Sequence, residues 1–296
     1  MIGVIGGGPA GRIAAMRLAG AGKEVELLEK RRIGGQCLHY GCMVVCALND
    51  AARLLESSRQ LADLGVFDGV PRLSFPRLVS EMQVIQEKIE RVLDAETKSA
   101  GVEIRYGVEG SVRGSQLRVD GVPVDAEAVI VASGSRPAVP DWPGTTLPKV
   151  YTPHTLASMD RLPEDIAVIG CGAMGVEFAH IFHAFGSNVH LLCRSELLRS
   201  MDPLLRDVAR RELRGVECLE NARVRGIEKA GDRLSVVYER PGISCSVEAD
   251  AVILATGLVP RSECAEGLRK GPLGEIQVDD HMRTSAPLVY ACGDVI

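Results

Sequence analysis

One feature constrains this chain more than any other: a strand, a glycine turn, a helix and a second strand are written twice. "MIGVIGGGPAGRIAAMRLAGAGKEVELLEK" opens the sequence, and "EDIAVIGCGAMGVEFAHIFHAFGSNVHLLCRS" repeats the plan 164 residues later. Short β-branched runs alternating with amphipathic segments predict βαβ units and parallel sheets. Two copies in 296 residues predict an α/β chain with two Rossmann-like nucleotide-binding domains. In the first copy Gly6, Gly8 and Gly11 form G-x-G-x-x-G, a helix runs to about Leu18, and a strand covers Glu24 to Leu28. The glycines allow a tight turn, close approach of backbone to a pyrophosphate, and close packing of helix on strand; the helix N-terminus then faces the phosphates. Glu29, eighteen residues after Gly11, is placed to accept hydrogen bonds from ribose hydroxyls.

The second copy repeats the glycines at Gly170, Gly172 and Gly175 but lacks the acid. The position equivalent to Glu29 is Cys193, with Arg194 next and Arg199 five residues further. Free ribose hydroxyls want a carboxylate there, whereas a 2′-phosphate wants guanidinium donors and no repelling carboxylate. NADP(H) is therefore favoured over NAD(H), the alternative being arginines that merely solvate a surface loop.

A net charge of −5 argues against nucleic acid or an anionic membrane as partner. No apolar run reaches the roughly 18 residues that span a bilayer, and the first residues enter a strand pattern with no leader-like basic region. A cytoplasmic location is the expectation. There, nine cysteines are unlikely to form a disulfide framework, and a close group is catalytic or metal-binding. Cys37, His39, Cys42 and Cys46 offer four donors for zinc, but their glycine-flanked place between a βαβ start and an amphipathic helix favours redox work. The other six cysteines read as buried, inert thiols. Phe75 to Lys98 predicts a long surface helix with Leu78, Val79, Met82, Ile85, Ile89 and Val92 on its apolar face. Strands are expected around Val102 to Tyr106, Leu117 to Val119, Ala128 to Val131, Leu234 to Tyr238 and Ala251 to Leu254, with a domain crossover in Ser135 to Pro148.

Taken together, these motifs resemble the pyridine nucleotide-disulfide oxidoreductases, in the branch of dihydrolipoamide dehydrogenase, glutathione reductase and mercuric reductase. "GGGPAG" is similar to the FAD fingerprint and "GGQCLHYGC", containing Gly35, to the redox motif G-G-x-C-x-x-x-G-C. "VIVASGSRP", with Ser133 and Gly134, and "VILATGLVPR", with Gly257, resemble the two A-T-G loops. "GCGAMGVE" resembles the pyridine-nucleotide fingerprint with Glu177 near the nicotinamide, and "VYACGDVI" the G-D motif whose Asp294 holds the flavin ribitol. The resemblance implies an FAD-binding domain over residues 1–145 that carries the redox pair. An NAD(P)-binding domain over 146–258 is inserted in it, and 259–296 return to the first.

Cys42 would then be the charge-transfer cysteine and Cys37 the interchange cysteine. Electrons would pass from NADPH through FAD to a Cys37–Cys42 disulfide and on to a small-molecule disulfide. In a regular helix the pair would be about 8 to 9 Å apart, beyond the approximately 7 Å limit for a disulfide, so the segment must break, with Gly41 supplying the unusual angle. A helix starting at Cys42 would favour its thiolate. The chain departs from the family in Met43 to Cys46, where a lysine that pairs with the fingerprint acid is expected; Cys46 reads as a third redox thiol or a small apolar filler. It also ends at the G-D motif, where relatives continue into a dimerisation domain carrying a His-Glu acid-base pair. His39, inside the redox loop, reads as a solvent-facing imidazole, with a substitute acid-base group as the alternative. If the natural chain ends here, these departures predict weak or absent turnover of disulfides and an uncovered apolar surface that a second copy or a partner would bury; an incomplete gene copy would show the same features. Competing readings are mercuric ion reduction or transhydrogenation on the same scaffold, and a truncated, non-catalytic redox-sensing or binding subunit.

Overall fold

The computed structural model describes residues 1–296. Six α-helices follow in chain order: α1 (Pro9–Gly20), α2 (Gly35–His39), α3 (Cys42–Asp63), α4 (Phe75–Ser99), α5 (Ala173–Phe185) and α6 (Pro203–Glu212). The chain forms two compact units, one of Met1–His39, Val84–Arg136 and Leu258–Ile296, the other of Tyr40–Gln83 and Pro137–Gly257. The change of unit after Arg136 falls inside the proline-rich crossover expected from the sequence.

The first unit is built on a five-stranded parallel sheet ordered Val289–Ala291, Ala128–Val131, Ile2–Ile5, Val25–Glu29 and Glu103–Tyr106. Its central strand is buried along its whole length, which is why it reads as an unbroken apolar run rather than an alternating one. A small sheet adds the antiparallel strands Gly110–Arg113, Gln116–Val119 and Val122–Val124, with Ala265–Glu266 parallel to the first of them.

The second unit repeats the parallel sheet, ordered Glu217–Leu219, Asn188–Leu192, Asp165–Ile169, Ala251–Leu254 and Val150–Tyr151. An antiparallel sheet of Arg223–Ala230, Arg233–Arg240 and Ile243–Ala249 was legible only in its middle strand. Residues 40–83, read from the sequence with the first domain, group with this unit for a physical reason. Helix α3 buries Val44, Val45, Leu48, Ala52 and Leu55 in one core with Phe178 and Phe182 of α5. Phe75 completes an aromatic cluster, its ring centroid 6.1 Å from Phe182 and 6.2 Å from Phe185.

Helix α4 occurs where expected, but its buried stripe is rotated. Ile85 and Val92 are 52% and 55% exposed, while Gln86 is buried. The stripe runs Phe75, Val79, Met82, Gln86, and a polar side chain is tolerated in it because it has partners: the Gln86 amide donates to the carbonyls of Leu38 and His39 at 2.8 and 3.3 Å. Phe182→Ala is expected to cost about 3–5 kcal/mol in denaturant unfolding. Val92→Ser, on the exposed stripe, should stay within about 0.5 kcal/mol.

Candidate functional site

In the first unit, α1 begins with Pro9 directly after Gly8, and no side chain caps its first turn, so its leading amides face outward. Gly6 lies at φ +104°, against the Ala132 carbonyl. A Cβ on Gly11 would stand 2.0 Å from the Gly6 oxygen, so helix and strand can meet only through glycine there. Glu29 is buried, and its carboxylate accepts the Gly7 N–H and the Arg31 N–H, each at 2.7 Å. The acid expected to meet a ribose thus also braces the glycine loop. A carboxylate has about four acceptor positions, so it retains capacity for hydroxyl donors.

A cleft of about 230 Å³ opens here, lined by Gly6, Glu29, Arg31, Gly110 and Ser133 among others. Ser133 Oγ donates to the Arg261 carbonyl at 2.7 Å, and Gly134, at φ +71°, accepts the Arg261 N–H at 2.8 Å. Asp294 is exposed and accepts from Ser135 Oγ at 2.9 Å. Its neighbour Gly293 packs so closely that a Cβ there would lie 2.8 Å from Ala10 Cβ, which sets the G-D turn against the first turn of α1.

The cysteine loop is tied to this fingerprint. The Gly34 N–H donates to the Gly7 carbonyl at 2.8 Å, and a Cβ on Gly35 would come within 2.7 Å of Gly8 Cα. Cys37 follows in α2, half-buried, with Gln86 holding the carbonyl end of that helix. His39 does not face solvent as expected: it is half-buried with Nε2 2.9 Å from the Ile33 carbonyl. The left-handed angles of the loop fall at Gly34 and Gly35, φ +97° and +56°. Gly41 also supplies an unusual angle, as expected: at φ −116°, ψ −117° it lies outside the ordinary α and β regions and caps α3. Cys42 opens α3 and is exposed. Cys46, one turn on, is exposed too, opposite the buried Val44, Val45 and Leu48, which removes the filler reading. No group of three or more His, Cys, Asp or Glu is placed to hold a metal ion.

The second unit reproduces the loop geometry. Gly170 lies at φ +116°, Gly172 caps α5 with open space around it, and a Cβ on Gly175 would stand 1.8 Å from the Gly170 oxygen. The Gly6 N–H donates to Leu28 O at 2.9 Å and the Gly170 N–H to Leu192 O at 3.0 Å, which makes Cys193 the counterpart of Glu29. Arg194 and Arg199 are exposed just beyond it. The nearby acids Glu196 and Glu220 are each engaged at 2.6 Å by other arginines, Arg206 and Arg210. Gly257, at φ +107°, accepts the Ala138 N–H at 2.9 Å, as Gly134 accepts that of Arg261. Glu177 is exposed in the first turns of α5.

Sequence reasoning passed over one functional candidate. Cys171, read as inert, is half-exposed, and its thiol pKa is lowered to about 7. A hydrogen bond from the Cys193 thiol is the largest cause; burial opposes it, backbone N–H groups of Leu198 and Ser195 assist, and the Glu220 charge opposes. The pKa of Cys193 moves upward, through its interaction with Cys171 first and through burial second; its thiol donates to the Leu191 carbonyl at 3.9 Å. The available signal was the place of Cys171 inside the second glycine loop. A lowered pKa means that thiolate is present above pH 7, so alkylation of Cys171 by iodoacetamide should be half-maximal near pH 7 rather than about 8.5. Cys193→Ala should move the midpoint upward, read by mass spectrometry of the Cys171 peptide across pH.

The family model described as pyridine nucleotide-disulphide oxidoreductase matches residues 2–296. Curated relatives include a dihydrolipoyl dehydrogenase of Acholeplasma laidlawii, 29% identical over 99% of this chain and 88% of that protein. A glutathione reductase of Burkholderia cepacia is 32% identical, over 99% and 66%, and a mercuric reductase of Staphylococcus aureus 27% identical, over 99% and 55%. Among solved structures, the HOCl-induced flavoprotein disulfide reductase RclA from Escherichia coli aligns with a TM-score of 0.85 at 27% identity, over 100% of this chain and 66% of that one. Apart from the Acholeplasma protein, the chain spans about half to two thirds of the length of these relatives.

Proposed function

The chain belongs to the pyridine nucleotide-disulphide oxidoreductase family, and on that premise we propose an NADPH-dependent flavoprotein whose Cys37 and Cys42 exchange electrons with a small-molecule disulfide. One observation carries the reading: the cysteine loop is fastened to the first glycine fingerprint through Gly34 to Gly7 and Gly35 on Gly8, so the loop that carries the redox cysteines leaves directly from the first nucleotide loop. The residues present fit FAD in the first unit. Uncapped amides of α1 suit its pyrophosphate, Glu29 a ribose, and Asp294, exposed beside α1, a polyhydroxyl chain. When bound, FAD supplies a two-electron relay between a nicotinamide and a disulfide.

In the second unit the open face at Gly172 and the uncapped start of α5 suit a second pyrophosphate. Arg194 and Arg199, with the neighbouring acids already neutralised, suit a 2′-phosphate. In the exchange itself, the thiolate of one cysteine attacks a sulfur of the acceptor and expels one thiolate. The second cysteine then attacks the mixed disulfide and expels the other, so the acceptor becomes two thiols and the pair becomes a disulfide. Cys42 is exposed and Cys37 half-buried.

Anaerobic reductive titration of the FAD-loaded chain tests the reading. Uptake of about four electrons is expected, two each for the flavin and the cysteine pair, falling to about two in Cys42→Ser. Two-electron uptake in the unsubstituted chain would contradict the dithiol.

A further inference from the structure

The two glycine loops differ at a pair of positions that are in contact in the first of them. In the first unit these are Gly7 and Glu29, joined by the 2.7 Å hydrogen bond from N–H to carboxylate. In the second they are Cys171 and Cys193, at the same offset of 164 residues as the glycines. The backbones match closely: φ +104° and +116° at Gly6 and Gly170, and φ, ψ of −69°, 178° and −74°, −177° at Gly8 and Gly172. The helices also sit equally close to their strands, at 2.0 and 1.8 Å for a Cβ on Gly11 and Gly175. A Cβ built on Gly7 lies 3.5 Å from Glu29 Cβ. Carried to the second loop, that separation lies at the short end of the roughly 3.5–4.5 Å span of Cβ atoms in a disulfide.

The geometry points to a second dithiol/disulfide site, formed by Cys171 and Cys193 at the second nucleotide loop, that takes a small-molecule disulfide as its oxidant. The site goes beyond the proposed function and needs neither flavin nor pyridine nucleotide. The division of labour follows from exposure. Cys171 is half-exposed and meets the oxidant, whereas Cys193 is completely buried and can act only on a sulfur already bound to Cys171. The Cys171 thiolate attacks one sulfur of the oxidant, forming a mixed disulfide and releasing one thiolate. Cys193 gives up its proton and attacks the Cys171 sulfur, closing the intrachain bond and releasing the second thiolate, so that two protein thiols are oxidised and one disulfide is reduced to two thiols. Cys171 Sγ lies 3.6 Å from the Glu196 carbonyl and Cys193 Sγ 3.9 Å from the Leu191 carbonyl, and it is the matched geometry of the two loops that brings the second sulfur to the first. Cys218, on the neighbouring strand Glu217–Leu219, feels the same charges, but burial and Glu220 push its pKa up, which disfavours it as a nucleophile. Once closed, the bond gives the second loop a covalent brace where the first has the Gly7 to Glu29 hydrogen bond.

The test uses the full chain carrying Cys37→Ser and Cys42→Ser, so that the proposed exchange pair takes no part. The unsubstituted chain runs in parallel as a check on folding. Each is treated anaerobically with oxidised glutathione, trapped with N-ethylmaleimide and mapped by mass spectrometry. The expected result is a Cys171–Cys193 cross-linked peptide in both, with two glutathione thiols released per bond, and a persistent glutathione adduct on Cys171 when Cys193→Ser is added. Both cysteines fully alkylated, Cys171 cross-linked elsewhere, or a lasting adduct on Cys171 with Cys193 intact would each overturn the proposal. A chain that binds no flavin yet forms this bond would contradict the proposed function and leave the second dithiol standing.

Discussion

Contact between a helix and a strand carbonyl, with no side chain between them, is the constraint on which this structure rests. Gly11 over the Gly6 oxygen and Gly175 over the Gly170 oxygen leave no room even for a methyl group. That approach fixes where each helix begins, and so where its unpaired amides lie relative to the end of the neighbouring strand. The rest of each site is built outward from this point: Glu29 or Cys193 at the strand end, an open face at Gly8 or Gly172, and the carbonyl of Ala132 or Ala255 underneath.

The first loop carries a second burden, since the cysteine segment leaves from it. Gly34 and Gly35 turn with positive φ against Gly7 and Gly8, which places the start of α2 beside the fingerprint, and Gln86 secures the other end. One device is local and the other long-range. The turn is local backbone geometry that glycine permits, and the buried amide of Gln86 satisfies two carbonyls that a short helix leaves open.

Much of this was legible in the sequence because glycine spacing and β-branched runs report local geometry. Both parallel sheets, the helix over Phe75–Ser99, the break before Cys42 and the register equating Glu29 with Cys193 all follow from short-range pattern. What escaped depends on partners distant in the chain. The grouping of α3 with α5 needs knowledge of which apolar face meets Phe178 and Phe182. The rotation of α4 depends on a polar Gln86 finding carbonyls 47 and 48 residues away, which hydrophobic periodicity counts as a solvent position. The pair of Cys171 and Cys193 is hidden for a different reason: scattered cysteines read as inert thiols, and only the loop geometry brings these two positions together.

Glu29 and Cys193 occupy one position in two copies of one loop, and that substitution, with the arginines behind it, is what the proposed preference of the second unit for NADPH rests on. The most direct measurement is the dissociation constant of NADPH against that of NADH, by equilibrium dialysis with the flavin-loaded chain. The account predicts NADPH tighter by about tenfold or more, the worth of one to two charge-assisted phosphate contacts, with the preference reversed by Arg194→Glu. Equal affinities, or tighter NADH in the unsubstituted chain, would contradict it.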